Sequence, residues 1–383
     1  MSVARHAIAA SHVFDGLAVH RDRAVLVDGS RIAALVPRRD VPAGVPVAAL
    51  PEGLWLAPGF IDTQVNGGGG VLFNNAPTPD AIATIVRAHR KFGTTALLPT
   101  LITDVPETTA KAIRAVDEAA ASMPGVIGIH LEGPFLSPER PGVHDPRRLR
   151  RPNDDDLAMI TAKRRGVTLV TLAPEQVPSG FVSALASAGV RVALGHSMAT
   201  YVETRAAMAD GLTGFTHLFN AMRPLASREP GPVTAALENP AAWFGMIVDG
   251  VHVDPAVLRL ALRGAGHPML VTDAMPPVGG SRQTFTLYGE EITVRDGRCT
   301  RRDGALAGAV LDMATAVRNC VRLLDVPLAS ALSFASAHPA DFIGLGHWLG
   351  RLAPGYRADI VALDPTDIRV RETWVAGQAS TNT

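Results

Sequence analysis

The sequence predicts an α/β protein: a (β/α)8 TIM-like barrel with a small β-sandwich domain built from both chain ends. Three observations predict it. Between residues 57 and 344, short apolar runs alternate with segments whose apolar residues recur at i, i+3 and i+4. Those short runs are continuously apolar, as parallel strands buried on both faces require. The two ends of the chain show instead short alternating patterns around Pro and Gly, with no useful helical period.

The elements follow in order. Residues 1–56 read as short strands in AIAASHVFDG, AVHRDRAVLVDGSRIAALV and VPVAALPEGLWLAPG, turned at Asp15-Gly16 and Asp28-Gly29. The barrel strands are APGFIDTQVN, TALLPTL, GVIGIHLEGP, TLVTLAPE, RVALGHS, GFTHLFN, FGMIVDGVHV and PMLVTDA. Helical patterns such as PDAIATIVRAHRKFG, ETTAKAIRAVDEAAAS and DPAVLRLALRGAG lie between them, as an outer ring requires. Near residues 280–303 the alternation breaks into a β-hairpin insertion, with turns at Tyr288-Gly289-Glu290 and Asp296-Gly297. Its place just beyond Asp273 allows it to sit over the barrel mouth, either as a lid or as a passive surface hairpin. Residues 345–383 return to strand pattern and complete the small domain with residues 1–56, leaving 57–344 to the barrel.

Composition narrows the function. The 383 residues are 47% hydrophobic and 19% charged, enough apolar material for a large core. Lys+Arg and Asp+Glu both number 36, so the footprint of a nucleic-acid binder is missing. No polybasic run adjoins an amphipathic stretch, and no apolar run reaches the roughly 18 residues of a membrane span. Cys299 and Cys320 are too few for a disulfide framework. A cytoplasmic enzyme or binding protein is the expectation.

The chemistry concentrates at four successive strand ends: Glu132, His196, His217 and Asp273. Strand ends around a barrel converge on one mouth, so groups far apart in sequence can meet there. Zinc takes imidazole nitrogen and carboxylate oxygen, and a catalytic site keeps one position for water. Glu132, His196 and His217 form such a set. Asp273 suits either a fourth ligand or a proton-transferring base, against the plainer reading of a cap on the next segment. On the first strand, Gln64 and Asn66 share a face. Amides bind a divalent cation weakly, so one tightly held metal is expected, with Gln64 orienting its neighbours. His130 shares a face with Glu132 and reads as a packed interior histidine.

Taken together, APGFIDTQVNGGGG, HLEGPFLSPERPGVHDP, LGHSMATY, FTHLFNAMRPL, REPG, VDGVHVDP, LVTDAMPPVG and GRLAPGYRADIVALD resemble the N-acetylglucosamine-6-phosphate deacetylase family of the amidohydrolase superfamily. The resemblance runs nearly end to end. It implies that Glu132, His196 and His217 hold one divalent metal, zinc or ferrous iron, and that Asp273 is general base and then acid. It implies that His144 meets the acetyl carbonyl oxygen, that His252 meets sugar and phosphate, and that the Asn220-Ala221 backbone touches substrate. Arg228 matches an arginine that reaches a neighbouring subunit's phosphate, which implies a homodimer. Gln64 and Asn66 stand at the family's second, here vestigial, metal position. Ala309 and Met275 depart from the usual serine and threonine.

The implied reaction is hydrolysis of N-acetylglucosamine 6-phosphate to glucosamine 6-phosphate and acetate. Alternatives are the galacto isomer, a cyclic-amide hydrolase, or a non-catalytic barrel. Cyclic-amide enzymes usually carry His-x-His on strand one and a lysine on strand four, and TLVTLAPE has no lysine.

Overall fold

A computed structural model of the chain describes residues 5–380. Eight parallel strands run in sequence order around a nearly closed barrel. They are β1 (Phe60–Val65), β2 (Thr94–Ile102), β3 (Gly128–Glu132), β4 (Val167–Leu172), β5 (Arg191–Leu194), β6 (Gly214–Phe215), β7 (Trp243–Met246) and β8 (His267–Leu270). A parallel bridge between Val65 and Ala274 joins the first strand to the segment after the last. Every residue of β1, β2 and β3 is buried, which is why these strands read as continuous apolar runs.

The helices form where capping and periodicity agree. Pro106–Ser122 opens with Pro at its first turn and buries Thr109, Ala112, Ala115, Val116 and Ala119, one face at 3- and 4-residue spacing. Tyr201–Ala209 starts at a capping box of Thr200 and Glu203, and Asp154–Thr161 at one of Asn153 and Asp156. Among the described residues no helix is long and apolar enough to cross a membrane.

The insertion is larger than a hairpin. Thr284–Leu287, Glu290–Arg295, Arg298–Thr300 and Leu306–Ala309 make a four-stranded antiparallel sheet. Its first two turns are two-residue loops, Tyr288-Gly289 and Asp296-Gly297, with positive φ at all four positions. That is the turn whose twist matches paired strands. Leu287, Ile292, Cys299 and Ala307 pack with Leu72, Ile102 and Met275, so apolar burial anchors the sheet over the barrel end. Asn75 donates to the Thr286 carbonyl (2.7 Å) and adds a polar tether. The fourth strand was missed because GALAGAV lacks β-branched alternation and follows a polar turn.

The chain ends build one further sheet. Trp55–Pro58 pairs antiparallel with Ile360–Leu363, which joins N-terminal strands to C-terminal ones. His6–Phe14, Val19–Asp28 and Arg31–Pro37 extend it on one side, and Val370–Val375 on the other. Apolar residues cover both faces, with Ile8, Leu56, Ile360 and Trp374 in one cluster and Ala7, Ala9, Ala24 and Leu26 in another. By proximity of backbone positions, Thr63–Val86 and Leu97–Leu311 form one compact unit. Of the described residues, those up to Asp62, Arg87–Ala96 and those from Asp312 onward form the other.

Candidate metal centre and active site

The four groups do meet, but not on successive strands. Glu132 ends β3, His196 and His217 follow β5 and β6, and Asp273 follows β8. Strand β4 ends in Leu172 and supplies no ligand type, which accounts for the missed spacing.

The backbone turns sharply to aim these side chains. His196, His217 and Asp273 have φ values of +49°, +31° and +50°, a region that L-residues seldom occupy. Glu132 avoids this by placing Gly133 (φ +88°) after it. Strain of this kind at three polar strand ends marks positions chosen for chemistry over local comfort.

The ligand atoms converge. Glu132 Oε1 lies 3.0 Å from His217 Nε2 and 3.2 Å from His196 Nε2, and the two Nε2 atoms are 3.2 Å apart. All three residues are buried. The carbonyl of Arg140 can only accept, so His196 Nδ1 (2.9 Å) carries the hydrogen and Nε2 keeps its lone pair. Three donor atoms so spaced fit a cation that takes nitrogen and carboxylate oxygen at about 2.0–2.2 Å. Two imidazole nitrogens facing each other beside a carboxylate have no better common partner. Asp273 stands outside this three-residue group.

Electrostatics separate the two carboxylates. Burial would raise Glu132, but the two imidazoles outweigh it and hold the carboxyl well below its usual range. Burial, then the charge of Glu132, push Asp273 up to about 6. Two acids whose environments pull them apart are the pattern of divided labour. Gln64 Nε2 spans both, reaching the Glu132 oxygens at 3.3 and 3.2 Å and Asp273 Oδ1 at 3.2 Å. Asn66 Nδ2 donates to the same Asp273 oxygen at 2.6 Å. The amides of Gln64 and Asn66 thus both hold Asp273.

The remaining predicted residues divide. Asn66, Glu132, His144, His196, His217, Asn220, Ala221, His252 and Asp273 all line one cavity of ≈ 170 Å³. His144 is 1% exposed; burial, then the neighbouring His196, keep its pKa well below the usual value. Its ring meets that of His196 edge to face, centroids 4.4 Å apart. His252 Nδ1 bonds Asp249 Oδ2 at 2.6 Å. Arg228 is exposed on the loop beyond Met222 and lines no part of this cavity. Met275 lines the wall, while Ala309 holds Asp273 through its backbone, its N–H donating to the Asp273 carbonyl (2.9 Å). The Ala309 contact does not depend on its side chain.

His130 is an interior residue. Its nitrogens bond Thr100 Oγ1 (3.2 Å) and Thr171 Oγ1 (2.8 Å), and burial pushes its pKa down to about 4. Sequence reasoning missed Asp249, Thr103 and Glu175. Asp249 was visible as the i−3 partner of His252 in DGVHVD. Half-buried Glu175 accepts from Ser197 Oγ (2.7 Å) and Met198 N (2.6 Å), bracing the loop that carries His196. No local signal reveals Thr103 or Glu175. A larger groove of ≈ 760 Å³ in the other unit, with Lys91, Arg318 and Arg322, holds no metal-ligand cluster among the described residues.

Comparison with known proteins adds a second line. Residues 55–382 match the amidohydrolase family. An N-acetylgalactosamine-6-phosphate deacetylase of Shewanella sp. (strain ANA-3) is 45% identical over 84% of this chain and 82% of its own. An N-acetylglucosamine-6-phosphate deacetylase of Haemophilus influenzae is 34% identical over 95% and 96%. The crystal structure of N-acetylglucosamine-6-phosphate deacetylase from Pasteurella multocida superimposes with a TM-score of 0.95 at 34% identity, covering 99% of this chain and 100% of that one.

Proposed function

The chain belongs to the amidohydrolase family and is a hydrolase of amide bonds, and from that premise we propose that it deacetylates N-acetylglucosamine 6-phosphate. The products are glucosamine 6-phosphate and acetate. One observation carries the reading: the buried Glu132–His196–His217 triangle shares its cavity with a second carboxylate, Asp273, of raised pKa. Glu132, His196 and His217 hold one divalent cation, zinc or ferrous iron. Bound there, it would polarise the acetyl carbonyl and acidify water towards neutral pH.

The chain's own groups do the rest. Asp273 takes a proton from the attacking water as its oxygen bonds the carbonyl carbon. It returns that proton to nitrogen as the C–N bond breaks, so the amine leaves neutral. His144 donates a hydrogen bond to the carbonyl oxygen, where negative charge develops. Gln64 and Asn66 keep Asp273 pointed at the reacting carbon. Asp249 occupies one nitrogen of His252, which presents the other to sugar and phosphate, while the Asn220-Ala221 backbone lines the sugar's path. In a homodimer, Arg228 of the partner subunit grips the phosphate with its paired donors. A fixed phosphate sets the acetamide in register.

In this reading the enzyme works in the cytoplasm, and the described residues of 1–56 and 345–383 make one domain and 57–344 another. The 45% identity to a galactosamine-type relative supports a second reading, the galacto isomer. Acetate release from the gluco and galacto 6-phosphates, and from both sugars without phosphate, tests this. A higher kcat/KM on the gluco phosphate is expected. Preference for the galacto sugar would replace the substrate, and equal rates without phosphate would remove the phosphate role of Arg228 and His252.

A further inference from the structure

His144 is held by one residue that no motif points to. Thr103 follows β2 and is 1% exposed. Its backbone N–H donates to His144 Nδ1 at 3.3 Å, and its Oγ1 lies 2.7 Å from the same nitrogen. A backbone N–H can only donate, so Nδ1 must offer a lone pair. The imidazole hydrogen then sits on Nε2.

Thr103 is itself clamped. Tyr288, at the first turn of the inserted sheet, donates its phenol hydrogen to the Thr103 carbonyl at 2.5 Å. Tyr288 has φ +51°, in a turn position that Asn, Asp or Gly normally takes. A bulky residue held in the left-handed region needs a compensating contact, and this bond provides one. The Arg148 guanidinium lies over the Tyr288 ring, 5.1 Å from its centroid. It also pairs with Asp104, the residue after Thr103.

We propose that Thr103, clamped by Tyr288, is a positioning residue that sets the His144 tautomer and so presents Nε2–H to the acetyl carbonyl oxygen. This deepens the role given to His144 above and rests on it. The inserted sheet is then neither a moving lid nor a passive hairpin. It is a brace for the group that meets the oxyanion.

The test compares the zinc-loaded chain with its T103V, T103S and Y288F variants, each labelled with 15N-histidine. Two-bond nitrogen–proton spectra report the tautomer directly, and the His144 signals are those lost in H144A. The wild-type chain is expected to show hydrogen on Nε2. T103V loses the shorter contact to Nδ1 and keeps only the backbone one at 3.3 Å, so it should show a mixture with the Nδ1 form and a kcat lower by roughly 10-fold, the usual order for a lost orienting partner, with KM changed less than about two-fold. T103S should restore both, and Y288F should shift the spectrum in the same direction as T103V. A wild-type ring with hydrogen on Nδ1 would overturn the proposal, as would a T103V chain with unaltered spectrum and kcat. H144A at wild-type kcat would instead defeat the reading beneath it, whatever the spectra show.

Discussion

As the proposed base, Asp273 sets which protonation state would work. Its carboxyl, raised to about 6 by burial and by Glu132, must be ionised to accept a proton from water. The active form is therefore lost as pH falls through that value. A cation held by Glu132, His196 and His217 pulls it back down, so the acid limb of kcat/KM is expected at or below pH 6. An acid limb centred near pH 8 would assign the base elsewhere. Asp273→Asn should abolish turnover while the metal stays bound, because it lies outside the ligand triangle. His144→Ala should lower kcat by about 10²–10³, the loss typical of one oxyanion donor. Gly142 matters at the same scale. With φ +54°, an added Cβ would stand 2.9 Å from His196 Cε1. Gly142→Ala should tilt that ring and weaken metal retention, measured as a faster loss of metal to a chelator. The ligands were legible because each ends an apolar run in a polar residue. Thr103 and Glu175 were not, since a buried hydroxyl or half-buried carboxylate that acts through another side chain leaves no pattern in its own segment.

Elements carry the site because they end where its chemistry begins. The strands were readable from apolar runs, and the helices from period and caps. Thr200→Ala removes the cap on Tyr201–Ala209 and should cost about 1 kcal/mol, measured by denaturant unfolding. The insertion was only half legible. Its turns showed as Gly-containing pairs, but its fourth strand, Leu306–Ala309, is held by pairing with Arg298–Thr300 and by backbone bonds to the Asp273 segment. Pairing between distant segments is a tertiary fact that local propensity does not encode. The same limit hid the order of the site on the barrel. Glu132 ends β3 and His196 follows β5, and the intervening β4 was visible only as another apolar run.

At the scale of the whole molecule, barrel closure brings strand-one amides to a strand-eight carboxylate. Gln64 and Asp273 are joined across 209 positions, and only the β/α alternation foretold that meeting. Arg228 stays apart from the cavity within one chain, so the phosphate role proposed for it requires a second copy. Mixing R228A with D273N protomers tests this. Each is expected to be weak alone, and mixed dimers should regain activity, because one pocket then keeps Asp273 and receives an intact Arg228. No regain would place Arg228 outside the reaction. The central claim is that one cation, held by Glu132, His196 and His217, is required for amide hydrolysis. Metal content measured alongside acetate release tests it most directly, in the purified chain, after chelation, and in an E132Q/H196A/H217A variant. One equivalent of metal is expected, with activity lost on chelation and restored by one equivalent of zinc or ferrous ion. Full activity in the chelated chain, or an undiminished equivalent of metal in the triple variant, would contradict the account.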